Sequence, residues 1–277
     1  GKDFSLVYSP ERIDPGNKDY DLRNTPKIVG GLTENCGKRG EEFYSQIVDT
    51  VVLTKGLREA ELSKLLENTY RYVNIALVNE LAVFCHELGV DIWDSIDAAG
   101  TKPFGFESFY PGPGVGGHCI PIDPNYLSWI VRSLGHRFRM VELAHEVSER
   151  MPYYIAKRVQ DSLNAEGKPL SGSVILLLGV TYKPNISDQR QTPAAPLANH
   201  LLTMGAEVRF FDPYVDQILI DGVPVSPVDD FETGVVESDM AILVTAHDEI
   251  VNSIILQKAK KILDTRGVLT GENVERL

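Results

Sequence analysis

Residues 57–88 read LREAELSKLLENTYRYVNIALVNELAVFCHEL, a stretch without glycine or proline. Apolar side chains recur in it at spacings of three and four, at Leu62, Leu65, Leu66, Tyr70, Val73, Leu77, Leu81, Phe84 and Leu88. That is the period of one face of an α-helix, and Gly89 supplies the stop. A helix of this length predicts a rod of roughly 45 Å, longer than a small domain is wide. Such a rod either joins two domains or builds an interface between two copies of the chain.

On the amino-terminal side, Phe4–Tyr8, Lys27–Gly31 and Val51–Leu53 are short, apolar and flanked by proline and glycine, with a helical pattern over 37–48 between the last two. This set predicts the closing part of a doubly wound sheet whose opening strands would precede Gly1. On the other side, Val90–Ala99 reads as a second helix and Thr101–Pro121, rich in glycine, proline and aromatics, as a binding loop. Asp123 and Pro124 have the residue types of an N-cap and first-turn proline for a helix over Asn125–Leu134, and Glu142–Leu163 continues helical. From Ser173 the texture alternates: strands at Val174–Leu178, Glu207–Phe211, Met240–Val244 and Lys261–Leu263, with a helix over Pro196–Met204. The fold class expected is therefore α/β in three parts. Residues 1–55 are the remnant of an amino-terminal Rossmann-like domain, 56–150 a central helical region carrying a catalytic loop and a dimer face, and 151–277 a second Rossmann-like domain.

Composition narrows the partners. The 277 residues are 43% hydrophobic and 24% charged, long enough for more than one domain. A formal charge of -12 argues against nucleic acid. No apolar run exceeds Val174–Val180, far short of the roughly 20 residues a membrane-spanning helix needs. The start, Gly1-Lys2-Asp3-Phe4-Ser5, has no basic-then-apolar leader and reads as a cut inside a longer chain. The three cysteines, Cys36, Cys85 and Cys119, show no paired spacing and suit a reducing cytoplasm. No metal-ligand spacing stands out.

Chemistry concentrates in Gly112-Pro113-Gly114-Val115-Gly116-Gly117-His118-Cys119-Ile120-Pro121-Ile122-Asp123. The glycines let backbone approach a ligand and offer N–H groups to anionic oxygens. A thiol close to a helix start is favoured as thiolate. Two readings of Cys119 stand, a nucleophile or a small residue beside a tight turn; His118 reads as structural. Lys64 and Asn68, four apart, share a helix face, as a cation and amide donor for a developing oxyanion would; a solvated lysine is the plainer reading. Glu11, in Ser9-Pro10-Glu11-Arg12-Ile13-Asp14-Pro15-Gly16 after a strand, could activate water or be an ordinary loop acid. Cys85, at helical spacing from Leu81 and Leu88, reads as core, and Cys36 as a partnerless thiol in a polar turn. The turn Gly179-Val180-Thr181-Tyr182 has one glycine where a dinucleotide fingerprint needs three, and no GxGxxG follows a strand elsewhere.

Taken together, the cysteine loop, the Lys64–Asn68 pair, and Gly179-Val180-Thr181-Tyr182-Lys183-Pro184-Asn185 with Asp188-Gln189-Arg190 resemble three motifs of the UDP-glucose/GDP-mannose dehydrogenase family, in that family's order and spacing. The resemblance runs from Tyr8 to Arg266. It implies oxidation of a UDP-sugar at C6 to the uronic acid with two NAD+ in succession, through aldehyde, thiohemiacetal and thioester, for surface-polysaccharide precursors. Cys119 would be the nucleophile, Lys64 and Asn68 the oxyanion partners, Asp123 a positioning group for water, and Glu11 the acid of hydrolysis. Tyr182 and Lys183, with Gly116 and Gly117, would meet the nucleotide sugar; Phe104, Phe106 and Tyr110 would approach the sugar; Arg266 would lie near the cofactor. The last domain would bind UDP, and the long helix would form a homodimer. Ser9–Gly16, Thr101–Phe106 and His118–Asp123 look most like the UDP-N-acetylglucosamine branch, with UDP-N-acetylmannosamine enzymes close behind. Ile122, where UDP-glucose enzymes carry lysine, makes plain UDP-glucose the lesser alternative. The family's glycine fingerprint and catalytic threonine are missing, so this chain is expected to bind NAD poorly and to be inactive alone. Two other classes remain open: a non-catalytic nucleotide-sugar-binding and dimerisation module, and a cysteine hydrolase, which lacks a base.

Overall fold

The computed structural model describes residues 1–14, 16–117, 119–220 and 222–277; the side chains of Cys119, Pro121 and Ser226 also lie outside the described set. Its contacts divide the chain into two compact units, Gly1–Tyr70 and Arg71–Leu277.

The first unit holds β1 (Val7–Tyr8), β2 (Lys27–Gly31), α1 (Glu34–Tyr44), β3 (Val51–Leu53) and the opening turns of α2 (Leu57–Leu88). The central strand β2 pairs antiparallel with β1 and parallel with β3. Thr33 caps α1, its hydroxyl accepting from the Cys36 N–H. Cys36 is therefore a buried residue in the first turn of a helix, not of a polar turn. The helix is admitted this early because Thr33 supplies the cap three residues ahead. A hydrogen bond from the Thr33 hydroxyl and another from the Leu6 amide draw the thiol down to about 7.

In the second unit the remaining turns of α2 are followed by α3 (Ile92–Gly100), capped by Asp91, then α4 (Cys119–Ser133) and α5 (Arg139–Ala165). Here the structure departs from the sequence reading: α4 begins at Cys119, so Asp123 is no N-cap and Pro124 lies inside the helix. Pro124 is the sixth residue of α4, so the N–H it lacks is the one that would have met the Ile120 carbonyl one turn back. The strands are β4 (Val174–Leu178), β5 (Glu207–Phe211), β6 (Ile218–Ile220), β7 (Val223–Pro227), β8 (Met240–Leu243), β9 (Ile262–Asp264) and β10 (Val274–Arg276). They form one sheet in the order β10-β9-β8-β4-β5-β7-β6, parallel except for the β6–β7 edge. Helices α6 (Ala194–Thr203), α7 (Phe231–Glu237) and α8 (Asp248–Val251), with a 3-10 turn at Ile254–Lys258, complete it.

Alternation along β4 explains why both faces are covered. Ile175 and Leu177 pack with α5 and α6, through Ile155, Val159, Leu197 and Leu201. Leu176 and Leu178 pack on the opposite side with Val235, Ile250 and Leu256. All four β4 side chains are fully buried, which is why the strand reads as a continuous apolar run. Because β4 lies between β5 and β8, the chain leaves it in one direction and returns on the other. Their carboxyl ends at Gly179, Asp212 and Val244 thus flank a topological switch point.

Candidate functional site

Three of the candidate residues belong to the first unit. Asn68 is buried on α2, 3% exposed, and Lys64 one turn earlier is half-buried. The Glu11 loop is tied to the same helix: Arg12 pairs with Glu67 at 2.8 Å and donates to the Pro26 carbonyl at 2.8 Å. Glu11 itself accepts from the Arg12 and Ile13 N–H groups and from Lys27 at 3.2 Å. Burial would raise its carboxyl, but these bonds outweigh it and hold Glu11 below the ordinary glutamate range. It stands ionised, as a base must, with its strongest acceptor sites already used.

In the second unit the glycine strap is clamped at each step. The Gly112 N–H donates to Asn79 Oδ1 at 2.8 Å, in the buried interior. A Cβ on Gly112 would lie 2.9 Å from Arg266 Nη1. Gly116 and Gly117 lie against Tyr182: a Cβ on the first would come within 2.5 Å of its Cβ, and on the second within 2.9 Å of its ring. The Gly117 N–H donates to the Arg190 carbonyl at 3.0 Å. Arg190 forks onto Asp188, which holds that carboxyl below its ordinary range despite partial burial. The strap therefore lies, up to Gly117, on a bed made by the Tyr182–Arg190 segment, and α4 begins two positions later at Cys119. His118 and the Cys119 side chain are outside the described residues; Asp123 follows Cys119 by four positions on α4.

Of the aromatic candidates, Phe104 is 69% exposed with Lys102 over its ring, and Phe106 is also exposed. Tyr110 is held: its hydroxyl donates to Asp97 at 2.6 Å and its ring stacks on Trp93. The two line a cavity of about 610 Å³ with Arg266 and Arg276. Arg266 donates to the Val244 carbonyl at 2.7 Å, and burial lowers its guanidinium to about 10, still a cation at neutral pH. Lys183 lies half-buried beside Tyr182. Cys85 packs partly buried against Val78, Ala82 and Trp93.

Several residues escaped the sequence reading. Asn79 was hidden as one more position on a long helix, although a polar residue beside the Val78–Ala82 core stripe is a signal. Tyr72, His145 and Glu149 form a chain, the tyrosine hydroxyl 3.1 Å from His145 Nδ1 and His145 Nε2 3.3 Å from Glu149. Burial drives the Tyr72 phenol up to about 12. These three line a cavity of about 430 Å³ with Gly114, Val115 and Gln191. The third omission, the Asp212–His247 pair, had a readable cue in the acid that directly follows β5, where open sheets of this type place a ligand-binding carboxylate. Among the described residues no group of three or more His, Cys, Asp or Glu side chains is placed to hold a metal ion. No described helix is long and apolar enough to cross a membrane.

A parallel, doubly covered sheet with loops gathered at its switch point defines a Rossmann-like α/β domain, here joined to a glycine strap ending at a helix start. The comparisons make the class more definite. Residues 58–150 match the central domain of the UDP-glucose/GDP-mannose dehydrogenase family and residues 176–271 its UDP-binding domain, and the chain belongs to that family. The UDP-N-acetyl-D-mannosamine dehydrogenase of Methanococcus maripaludis is 36% identical over 91% of this chain and 56% of its own length. The UDP-D-ManNAc dehydrogenase structure from Pyrococcus horikoshii superposes with a TM-score of 0.86 at 32% identity, over 99% of this chain and 65% of that one. A UDP-glucose dehydrogenase from Pyrobaculum islandicum reaches the same TM-score, 0.86, at 26% identity over 99% of this chain and 62% of that one. Backbone likeness therefore does not choose the sugar. The chain spans between about half and two-thirds of the length of these relatives.

Proposed function

We propose that this chain supplies the sugar-binding and thioester-forming part of an NAD-dependent UDP-sugar 6-dehydrogenase acting on a UDP-N-acetylhexosamine in the cytoplasm. The observation that carries the reading is the strap from Gly112 to Gly117, pressed on Tyr182 and the Arg190 carbonyl, with α4 beginning two positions on at Cys119. The backbone of Cys119 opens the 15-residue α4, a helix start, where a thiol would be favoured as thiolate. That sulfur would add to the C6 aldehyde carbon as the carbonyl electron pair moves onto oxygen. Lys64 and Asn68 would stabilise the oxyanion. Loss of a hydride from the resulting thiohemiacetal to a second NAD+ would give the thioester, and its hydrolysis would use water oriented by Asp123 and Glu11. Tyr182, Lys183, Gly116 and Gly117 would receive the nucleotide sugar, with Phe104, Phe106 and Tyr110 toward the sugar and Arg266 near the cofactor. The divisions 1–55, 56–150 and 151–277 would then be cofactor-side, catalytic and UDP-binding parts.

The turn after β4 does not fit a dinucleotide. Gly179 is the single glycine of its turn, a Cβ there would lie 2.3 Å from the Thr245 carbonyl, and Asp212 has both oxygens engaged inside the protein. That turn is therefore not where the cofactor of the two oxidations would lie. On the sugar, the relatives' names favour the manno epimer at least as well as the gluco epimer suggested by the loop motifs.

Titration of UDP into this chain by calorimetry tests the binding half: saturable binding is expected, and its absence would count against the reading. In the full-length enzyme, Cys119→Ala should abolish uronic acid formation. A panel of UDP-N-acetylmannosamine, UDP-N-acetylglucosamine and UDP-glucose, scored by NADH release, decides the sugar. A non-catalytic module would bind UDP yet release no NADH from any of the three in that enzyme.

A further inference from the structure

At the carboxyl edge of the sheet, one carboxylate and one imidazole are sealed from solvent, each side chain 0% exposed and 3.0 Å from the other. Asp212 directly follows β5, and His247 lies four residues after β8. Asp212 Oδ2 accepts from the Val180 N–H at 2.7 Å and from His247 Nε2, while Oδ1 accepts from the Tyr214 N–H at 2.8 Å. On the other side of the ring, the Asn185 N–H lies 2.9 Å from His247 Nδ1.

These contacts fix the tautomer. A backbone N–H can only donate, so Nδ1 must be the bare nitrogen and the ring proton sits on Nε2. That proton points at Asp212 Oδ2. The Thr181 hydroxyl, also 3.0 Å from Nε2, has its own proton directed to the Lys183 carbonyl. The imidazole is thus a rigid two-ended strut, donor to the sheet at one end and acceptor from the 181–185 loop at the other.

Both ends of that loop system carry backbone that is held rather than relaxed. Asn185 has φ 62° and Gln191 φ 50°, the left-handed region, which asparagine enters more readily than glutamine. Asn185 is kept there by two contacts with the segment after β8, its N–H on His247 and its side-chain oxygen accepting from the Asp248 N–H at 3.0 Å. Thr245 adds a third tie, its hydroxyl donating to the Thr181 carbonyl at 2.5 Å. Tyr182 lies between these anchors, its N–H on the Asp188 carbonyl and its ring against Gly117.

We propose that Asp212 and His247 are positioning residues, a buried strut that fixes the 181–190 loop and, through Tyr182 and Arg190, sets the glycine strap ahead of Cys119. The proposal rests on the UDP-sugar reading above for its functional consequence; the geometry it invokes does not. Both side chains are closed off from solvent, so they act through the loop rather than on substrate. A buried ion-neutral pair is no better for stability than well-packed apolar residues of the same volume. What it supplies instead is direction, two specific bonds to a loop that the sheet core could not otherwise hold.

The test uses this chain with His247→Ala, and with two conservative replacements that separate the strut's ends. His247→Asn keeps an acceptor near the Nδ1 position, and His247→Gln a donor near the Nε2 position. Amide hydrogen exchange should accelerate at least tenfold at Asn185 and Gly117 in His247→Ala, with Leu177 and Ile242 in the sheet core unchanged. UDP affinity should fall at least tenfold in the same variant, and His247→Asn should restore protection at Asn185 more than His247→Gln. Unchanged exchange at Asn185 and Gly117 would overturn the proposal. So would an Nδ1–H tautomer for His247 in the nitrogen NMR spectrum of the unsubstituted chain, a readout that stands even if His247→Ala does not fold. Failure of the unsubstituted chain to bind UDP would sink the functional reading alone, since exchange and tautomer still judge the strut.

Discussion

Gly117 shows how much a single missing side chain decides. Its φ is 83°, and a Cβ there would sit 2.9 Å from Cε2 of Tyr182, a ring atom that cannot swing aside as the tip of a lysine would. Gly117→Ala therefore meets two penalties, a left-handed backbone and a collision, together costing about 1–3 kcal/mol. The expected outcome is a lower unfolding temperature and at least a tenfold loss of UDP affinity. Because part of the penalty is the ring itself, Gly117→Ala combined with Tyr182→Ala should lose less stability than the sum of the two single changes. Additive losses in that double-mutant cycle would mean the strap and Tyr182 do not bear on each other. A comparable argument applies in the core, where Leu177→Ala removes a fully buried side chain and should cost about 2–5 kcal/mol.

Elements were legible in proportion to how local their causes are. The long helix was readable over Leu57–Leu88 because its period and its stop lie in consecutive residues, and the β4 run because burial on both faces leaves it apolar throughout. The start of α4 was not, since Asp123-Pro124 imitates a capped helix start while the real beginning at Cys119 is set by the strap and by packing of Ile120 against Tyr72, Ala76 and Ala144. The short strands β6, β7 and β10 were missed because three to five residues carry no period of their own. The glycine strap as a candidate was plain in the sequence. What held it was not, because Asn79, Tyr182 and Arg190 come from distant segments. Junctions between elements also carry charge: Asp239, just before β8, accepts from the Val174 N–H at the start of β4 and pairs with Lys168 and Lys260. Burial would raise its carboxyl, but those three partners prevail and lower it to about 2 from an ordinary 3.8. Since the folded value is the lower one, the stabilisation is complete above about pH 5 and lost as pH falls toward about 2; it amounts to about 2 kcal/mol. Thermal unfolding of Asp239→Asn should show that loss at pH 7 and a flatter dependence between pH 5 and 2 than the unsubstituted chain. Parallel curves for the two proteins would remove Asp239 from the account.

For the whole molecule the open matter is the second copy. Along α2, Leu62, Leu66, Tyr70, Leu77, Leu81, Phe84 and Leu88 are each 40–75% exposed. They recur at three, four and seven, the spacing of one helix face, and a contiguous stripe of large apolar side chains along a helix is the surface that association covers. A second copy of this chain is the occupant we favour, because an antiparallel pair of such helices would meet residue for residue under a two-fold axis. The chain should then sediment at twice 30.7 kDa. Leu77→Glu with Phe84→Glu places charge in the middle of the stripe at positions already open to solvent in the single chain. Folding should be kept, judged by an unchanged circular dichroism spectrum, while the mass falls to that of one copy. A dimer that survives both substitutions would move the interface off α2, and a single-copy mass for the unsubstituted chain would leave the stripe without the partner assigned to it.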